Sequence, residues 1–252
     1  MVFFVSSQGS NTPSFNDHVL LWPALTLGNI GQLCIDLIIN TYGFERVGYI
    51  YDENIIPVVG NDTYTTNKGV MSTAVEVYQL ASTKITIVQQ RSPIIAGRYT
   101  KFSNNLYKWF NDSQFSQLLF ISSTNANKRI DSQLSGNQLR YVISQSINNE
   151  SLGKLKSLSI PEMETQGQIV IDGQVQLLSD RLTGLARDMK DLVSDKFLAL
   201  VLFCSEGDNT ADAINVARFV SQYIGLPSKD QFEIPSSWNL MQGPAVDQSL
   251  FF

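Results

Sequence analysis

Seven consecutive apolar residues, Phe197-Leu-Ala-Leu-Val-Leu-Phe203, constrain this chain more than any other stretch. A strand with one solvated face alternates apolar and polar side chains, whereas a strand covered on both faces has no reason to. The run therefore predicts a central strand with helices above and below it. It leads through Glu206-Gly-Asp-Asn209 into a helix whose stripe is Val216, Phe219, Val220, Tyr223 and Ile224, closed by Gly225 and Pro227. A second strand-to-helix unit lies near the start. Val19–Leu25 reads as a strand, with Pro23 marking a bulge or an edge position. Gly28-Asn29-Ile30-Gly31 then opens a helix with apolar positions Ile30, Leu33, Cys34, Leu37 and Ile38, ending near Gly43.

Between these units the period changes repeatedly. Val47–Tyr51, Ala74–Leu80 and Lys84–Gln90 are β-rich, and the turn Ala81-Ser-Thr83 predicts antiparallel pairing of the last two. A helix over Lys101–Phe110 carries Phe102, Leu106, Trp109 and Phe110 on one face, and Leu118–Ile121 follows as a short buried strand. Residues 125–164 are rich in Asn, Ser, Gln and Lys and predict long loops over at most one short helix. Asp172-Gly173 within Gln168–Leu178 is a strong hairpin signal, and Leu182, Leu185, Ala186, Met189 and Leu192 mark a helix. Alternating strands and helices with hairpins predict an α/β fold: a single-domain mixed-sheet sandwich with flanking helices over residues 1–240. Residues 241–252 are expected to form a separate flexible tail.

Composition narrows function by exclusion. A net charge of −5, with no Lys/Arg stripe, argues against nucleic-acid binding. The longest apolar runs are too short to span a bilayer, so no membrane partner is expected. Charged residues make up only 16%, as expected of a surface largely covered by partners. Cys34 and Cys204 sit in apolar runs and, with no secretory leader in evidence, predict a reducing cytoplasmic or nuclear setting. One histidine, His18, and two cysteines cannot assemble a histidine or thiolate metal cluster, so neither metal nor cofactor is expected. His18 would also be the only base for an acyl-transfer triad, and no Gly-x-Ser-x-Gly elbow accompanies it.

Two loops carry the remaining chemical signals. The turn containing Gly28, Asn29 and Gly31 follows a strand and opens a helix, where unpaired amides suit a phosphate. It matches neither the dinucleotide fingerprint nor the Walker pattern, and no Lys or Ser/Thr follows closely, so it reads as a tight turn. Glu206, Gly207, Asp208 and Asn209 lie beyond a strand's carboxyl end, a common ligand position in α/β proteins. A Glu/Asp pair would suit a hydrolase. Asn209 instead reads as a helix cap, with Asp212 approximating a capping box. At the other end of the chain, Leu250-Phe251-Phe252 follows a Gly/Pro-containing tether, and reads either as a docking plug or as a segment folded back on the core.

The segment from Pro23 to Ile39 resembles the N-terminal signature of the proteasome assembly chaperone 2 family. The blocks Pro57-Val-Val-Gly-Asn61, Glu76-Val-Tyr78, Gln90-Arg-Ser-Pro93, Phe203-Cys-Ser-Glu-Gly-Asp-Asn209 and Ile234-Pro-Ser-Ser-Trp238 continue the likeness in order. The resemblance implies a non-enzymatic chaperone that pairs with the related assembly chaperone 1. The heterodimer would bind α-subunits on the outer face of the proteasome α-ring, promote ring formation and block off-pathway or premature association. It implies a fold similar to that of purine nucleoside phosphorylases, with the Gly28 turn and the acidic loop as remnants of a ligand site. It also makes Leu250, Phe251 and Phe252 similar to the hydrophobic–tyrosine–any-residue tails that dock between α-subunits, with Phe251 lacking the tyrosine hydroxyl. The alternative is a small-molecule enzyme of nucleoside phosphorylase or hydrolase type that uses Glu206 and Asp208.

Overall fold

Phe197, Ala199, Val201 and Phe203 face one hydrophobic layer, while Leu198, Leu200, Leu202 and Cys204 face another, which is the two-sided burial that the apolar run demands. The computed structural model that shows this describes residues 3–7, 13–65, 69–144, 147–171 and 174–240. In chain order its elements are β1 (Phe4–Ser6), β2 (Val19–Pro23), α1 (Ile30–Tyr42), β3 (Glu45–Ile50), β4 (Val59–Asn61), β5 (Met71–Thr73), β6 (Val75–Gln79), β7 (Ile85–Gln90) and α2 (Tyr99–Asp112). There follow β8 (Gln117–Asn125), β9 (Leu139–Ile143), α3 (Asn149–Ser157), β10 (Gln168–Ile171), β11 (Gln174–Leu177), α4 (Gly184–Val193), β12 (Phe197–Cys204) and α5 (Thr210–Tyr223).

Eight strands form one mixed sheet in the order β1-β3-β6-β7-β2-β8-β12-β9, and β4–β5 and β10–β11 form separate two-stranded ribbons. The central strands β7, β2, β8 and β12 run parallel, and antiparallel pairs extend the sheet on both sides. Along each central strand successive side chains alternate between the two layers. Leu20, Trp22, Leu118 and Phe120 join α2 and α4, whereas Leu21, Leu119 and Ile121 join α1 and α5. This is a three-layer α/β arrangement, and among the described residues no helix is long and apolar enough to cross a membrane.

Helix ends follow the expected chemistry. Gly43 adopts φ 68° and returns its N–H to the Ile39 carbonyl, closing α1. Leu226 N–H reaches the Ser221 carbonyl past Gly225 at φ 78°, closing α5 before Pro227.

Three expectations are corrected. Pro23 marks neither a bulge nor an edge, because β2 lies mid-sheet between β7 and β8. Proline is tolerated there because β2 pairs with β7 only over residues 19–21, leaving no partner that needs a Pro23 N–H. Residues 125–164 hold one short helix, α3, among loops as expected, but they also contribute the edge strand β9, paired antiparallel with β12. Leu139-Arg-Tyr-Val-Ile143 after Gly136-Asn137 is itself a β-rich run bounded by turn residues, a signal submerged in the polar composition around it. The strand over Leu118–Ile121 continues through Ser122, Ser123 and Thr124, all buried despite their hydroxyls. The hairpin of β10 and β11 pairs Ile171 with Gln174 as expected, while Asp172-Gly173 lies outside the described residues. Residues 241–252, with Leu250, Phe251 and Phe252, lie outside them too.

Candidate functional site

The carboxyl ends of the parallel strands bring the two loops of interest together. Beyond β2, the Ala24 N–H donates to the Ile121 carbonyl at 2.8 Å, and the Ser123 N–H donates to Thr26 Oγ1 at 3.0 Å. The Ser123 hydroxyl adds bonds to Thr26 Oγ1 and the Leu27 carbonyl. These bonds hold a turn in which Gly28 has φ 67° and Asn29 has φ 54°. A Cβ on Gly28 would stand 2.5 Å from Asn209 Nδ2, so the turn closes directly on the acidic loop. Gly31 has a related reason: a Cβ there would meet the Ile121 carbonyl at 2.5 Å, where α1 crosses β8. The Gly28 turn is thus a packing device, and Asn29 makes no side-chain cap bond.

The acidic loop is built differently from the expected cap. Asn209 is buried and donates Nδ2 to the carbonyls of Ser205 at 3.1 Å and Gly207 at 3.0 Å, so its side chain closes its own loop rather than capping α5. The cap comes from Asp208, whose Oδ1 accepts from the Thr210 N–H at 2.9 Å. Hydrogen bonding from the Thr210 side chain, and then from its N–H, holds the Asp208 carboxyl below the usual carboxylate range. A general acid needs the opposite shift. Asp212 lies in the first turn of α5, where its charge complements the helix end. Glu206 and Gly207 are exposed, with Gly207 at φ 127°. His18 precedes β2, at the other end of the sheet from both loops. Its Nδ1 bonds the Thr86 hydroxyl at 3.0 Å, and burial lowers its pKa. Among the described residues no group of three His, Cys, Asp or Glu is placed to hold a metal.

Beside these loops, between the starts of α2 and α4, lies a cavity of about 340 Å³. Its wall includes Thr26, Gln90, Ile94, Tyr99 and Thr183, with no ionisable group other than the Tyr99 phenol. The Gln90 carboxamide is committed elsewhere, accepting from Trp22 Nε1 and donating to the Ser92 carbonyl, both at 2.9 Å. The cavity therefore lacks the convergent charged groups that base, sugar and phosphate recognition require.

Sequence reasoning missed a polar network on the α1 face. Asp36, buried in α1, accepts from Arg91 at 2.8 Å and from Gln89 and the Tyr64 hydroxyl at 2.6 Å each. Burial opposes the Arg91 charge, yet Asp36 outweighs it and raises the pKa of the guanidinium. Burial, then Asp36, raises that of Tyr64. Glu76, fully buried on β6, accepts from Arg46 at 2.6 Å and from the Tyr78 hydroxyl at 2.8 Å. Arg46 also donates to the Met71 carbonyl at 2.8 Å, and the Thr73 N–H donates to Glu76 at 3.2 Å. Two ion pairs thus fasten the excursion between β3 and β6 to the sheet. The Glu76-Val-Tyr78 and Gln90-Arg-Ser-Pro93 blocks were the signal available, since one puts a charged residue inside β6 and the other puts one immediately after β7.

The sequence profile described as "PAC2 family" matches residues 20–194. The chain is similar to proteasome assembly chaperone 2 of Danio rerio, with 34% identity over 260 residues covering 98% of this chain and 100% of the relative. Similarity to proteasome assembly chaperone 2 of Homo sapiens is 32% over 259 residues, covering 96% and 98%. Among solved structures, the fold is similar to Pyrococcus furiosus PbaA, an archaeal homolog of proteasome-assembly chaperone, with TM-score 0.62, 12% identity and coverage of 86% and 85%. It is also similar to Pyrococcus furiosus PbaB, an archaeal proteasome activator, with TM-score 0.58, 11% identity and coverage of 90% of each chain.

Proposed function

Because this chain belongs to the PAC2 family, we propose that it is a proteasome assembly chaperone and not an enzyme. The observation that carries this reading is near-full-length identity of 31–34% to vertebrate proteins named proteasome assembly chaperone 2. We further propose that it pairs with the related assembly chaperone 1 and that the pair acts in the cytoplasm and nucleus. The heterodimer binds the outer face of the α-ring, where it promotes ring formation and blocks off-pathway or premature association.

Leu250, Phe251 and Phe252 supply the docking plug in this proposal. The penultimate ring gives rigid contact area, and a terminal carboxylate pairs with a lysine in a partly desolvated pocket. Phe251 forgoes a tyrosine hydroxyl bond, worth about 1 kcal/mol. A second tail on the partner raises effective concentration, so losing one tail gives a partial loss and losing both gives a larger one.

Co-expression with the partner chaperone, followed by size-exclusion chromatography with light scattering and an α-ring binding assay, tests the proposal. A 1:1 complex whose ring affinity falls on deletion of residues 250–252, at unchanged melting temperature, supports it. A stable monomer indifferent to the partner overturns the pairing, and a deletion that lowers stability without altering ring binding overturns the plug. Nucleoside cleavage lost in a Glu206→Ala, Asp208→Ala variant would establish the enzymatic alternative instead.

A further inference from the structure

Arg181 departs from ordinary behaviour in two ways. Its backbone has φ 62°, a region that long side chains rarely enter. The residue is half-buried without a carboxylate beside it: Nη2 donates to the Lys128 carbonyl at 3.1 Å, and Nε is buried with no partner. Burial lowers its pKa, and no acid offsets that shift. Backbone strain and unpaired polarity that coincide at one residue are an outlier from which a binding role is inferred.

A second guanidinium converges on the same place. β8 ends at Asn125, and Ala126–Lys128 forms a single 3-10 turn beyond it. Arg129 folds back on that turn, its Nε donating to the Ala126 carbonyl at 2.9 Å and its Nη1 to Gln138 Oε1 at 2.9 Å. Arg181 holds the carbonyl of the turn's last residue, Lys128, whose side chain is exposed. Among the described residues none of the three cations makes an ion pair. The nearby acids Asp180 and Glu164 are taken by Lys190 and Arg140. Asp131, one turn on, is exposed and pairs with none of them. Glu206 and Asp208 follow β12, whose Cys204 lies beside Asn125 in register. Their loop leads into α5 on the other face of the sheet from α4 and closes on Gly28. A chain of net charge −5 thus gathers three uncompensated cations at the carboxyl end of β8.

We infer that Lys128, Arg129 and Arg181 form a recognition site for an acidic protein segment, whose carboxylates pair with the two guanidinium groups and the ammonium. The site goes beyond the chaperone reading and does not depend on it. Both guanidinium groups are already anchored to backbone carbonyls, so little side-chain freedom is lost when an anion arrives. A planar fork held in this way suits a carboxylate, which it meets with two parallel bonds. None of the three lines the cavity between α2 and α4, so a small anion here would stay largely in water. A segment with several carboxylates instead spans all three charges at once. Nucleic acid would need a longer basic stripe, and an anionic membrane about 4–8 clustered Lys or Arg.

The test titrates the full chain, with nitrogen-labelled arginine, with hexaglutamate as the acidic probe. The Nε–Hε resonances of Arg129 and Arg181 should shift saturably, and binding should weaken as salt rises. Arg129→Gln and Arg181→Gln should each weaken binding about 3- to 5-fold, and together at least about 10-fold. Arg129→Lys with Arg181→Lys keeps the charge without the fork and should fall between wild type and the double Gln variant. Lys84→Gln, at the opposite end of the sheet, should leave binding unchanged. Hexaglutamate should raise the melting temperature of the wild-type chain and not that of the double Gln variant. Unshifted arginine resonances, or wild-type affinity in the folded double Gln variant, overturn the site. Inorganic phosphate or phosphatidylserine vesicles binding as tightly as hexaglutamate would overturn an acidic protein segment as its ligand. A double Gln variant that is less stable yet still gains melting temperature from hexaglutamate would make the two guanidinium groups structural and refute the inference.

Discussion

At Gly28 two constraints coincide, a positive φ of 67° and the Asn209 carboxamide within 2.5 Å of any added Cβ. Left-handed backbone costs a non-glycine residue about 1–2 kcal/mol, and the clash adds to that. Gly28→Ala should therefore destabilise by about 2–3 kcal/mol in urea denaturation. Asn209→Ala removes the obstructing atoms but also two bonds to loop carbonyls. In the double variant the Gly28→Ala penalty should shrink toward the backbone part alone, giving a coupling of about 1 kcal/mol between positions 181 residues apart in sequence. Strict additivity would show that the turn does not rest on Asn209. The glycine at 28 and the Asn at 209 were each visible as turn residues. Their contact was not, because neither residue carries a periodic signal that points to the other.

Elements show how local pattern and long-range pairing divide the work. Leu200, wholly buried on β12 with strands on both sides, should cost about 3–5 kcal/mol on replacement by Ala. Ile143 on the edge strand β9 is only half-buried, and Ile143→Ala should cost roughly 1–2 kcal/mol. Equal losses measured by chemical denaturation would contradict the central and edge placements. The strand at 197–204 was readable because continuous burial leaves a continuous apolar run. β9 was hidden because an edge strand carries an arginine, and Arg140 is satisfied by Glu164 at 3.1 Å from a segment far along the chain. The helices α1, α2, α4 and α5 were readable from their stripes. Asp36 nevertheless sits in α1 where the pattern implies a solvated face, and the structure buries it against Arg91.

For the molecule as a whole, His18 ties stability to pH. Burial depresses its folded-state pKa below the ordinary value, so the unfolded chain binds this proton more readily than the folded one. Its contribution is complete above the unfolded value of about 6.5 and is lost as pH falls from there toward the lower folded value. His18→Gln, which retains a partner for the Thr86 hydroxyl, should flatten the fall in melting temperature between pH 7 and 5. An unchanged profile would place that dependence on the carboxylates instead. Local sequence alone determined the central strands and the helices α1, α2, α4 and α5, the turn at Gly28, the end of α1 at Gly43 and the likeness to one family, because periodicity, turn chemistry and ordered motif blocks are written in neighbouring residues. Only the tertiary structure decided the strand order, the small strands β1, β4 and β5, the membership of β9, the exchange of roles between Asp208 and Asn209, and the Asp36–Arg91 and Glu76–Arg46 pairs. Each of these depends on which distant groups share a low-dielectric interior or a surface, and no local pattern encodes that.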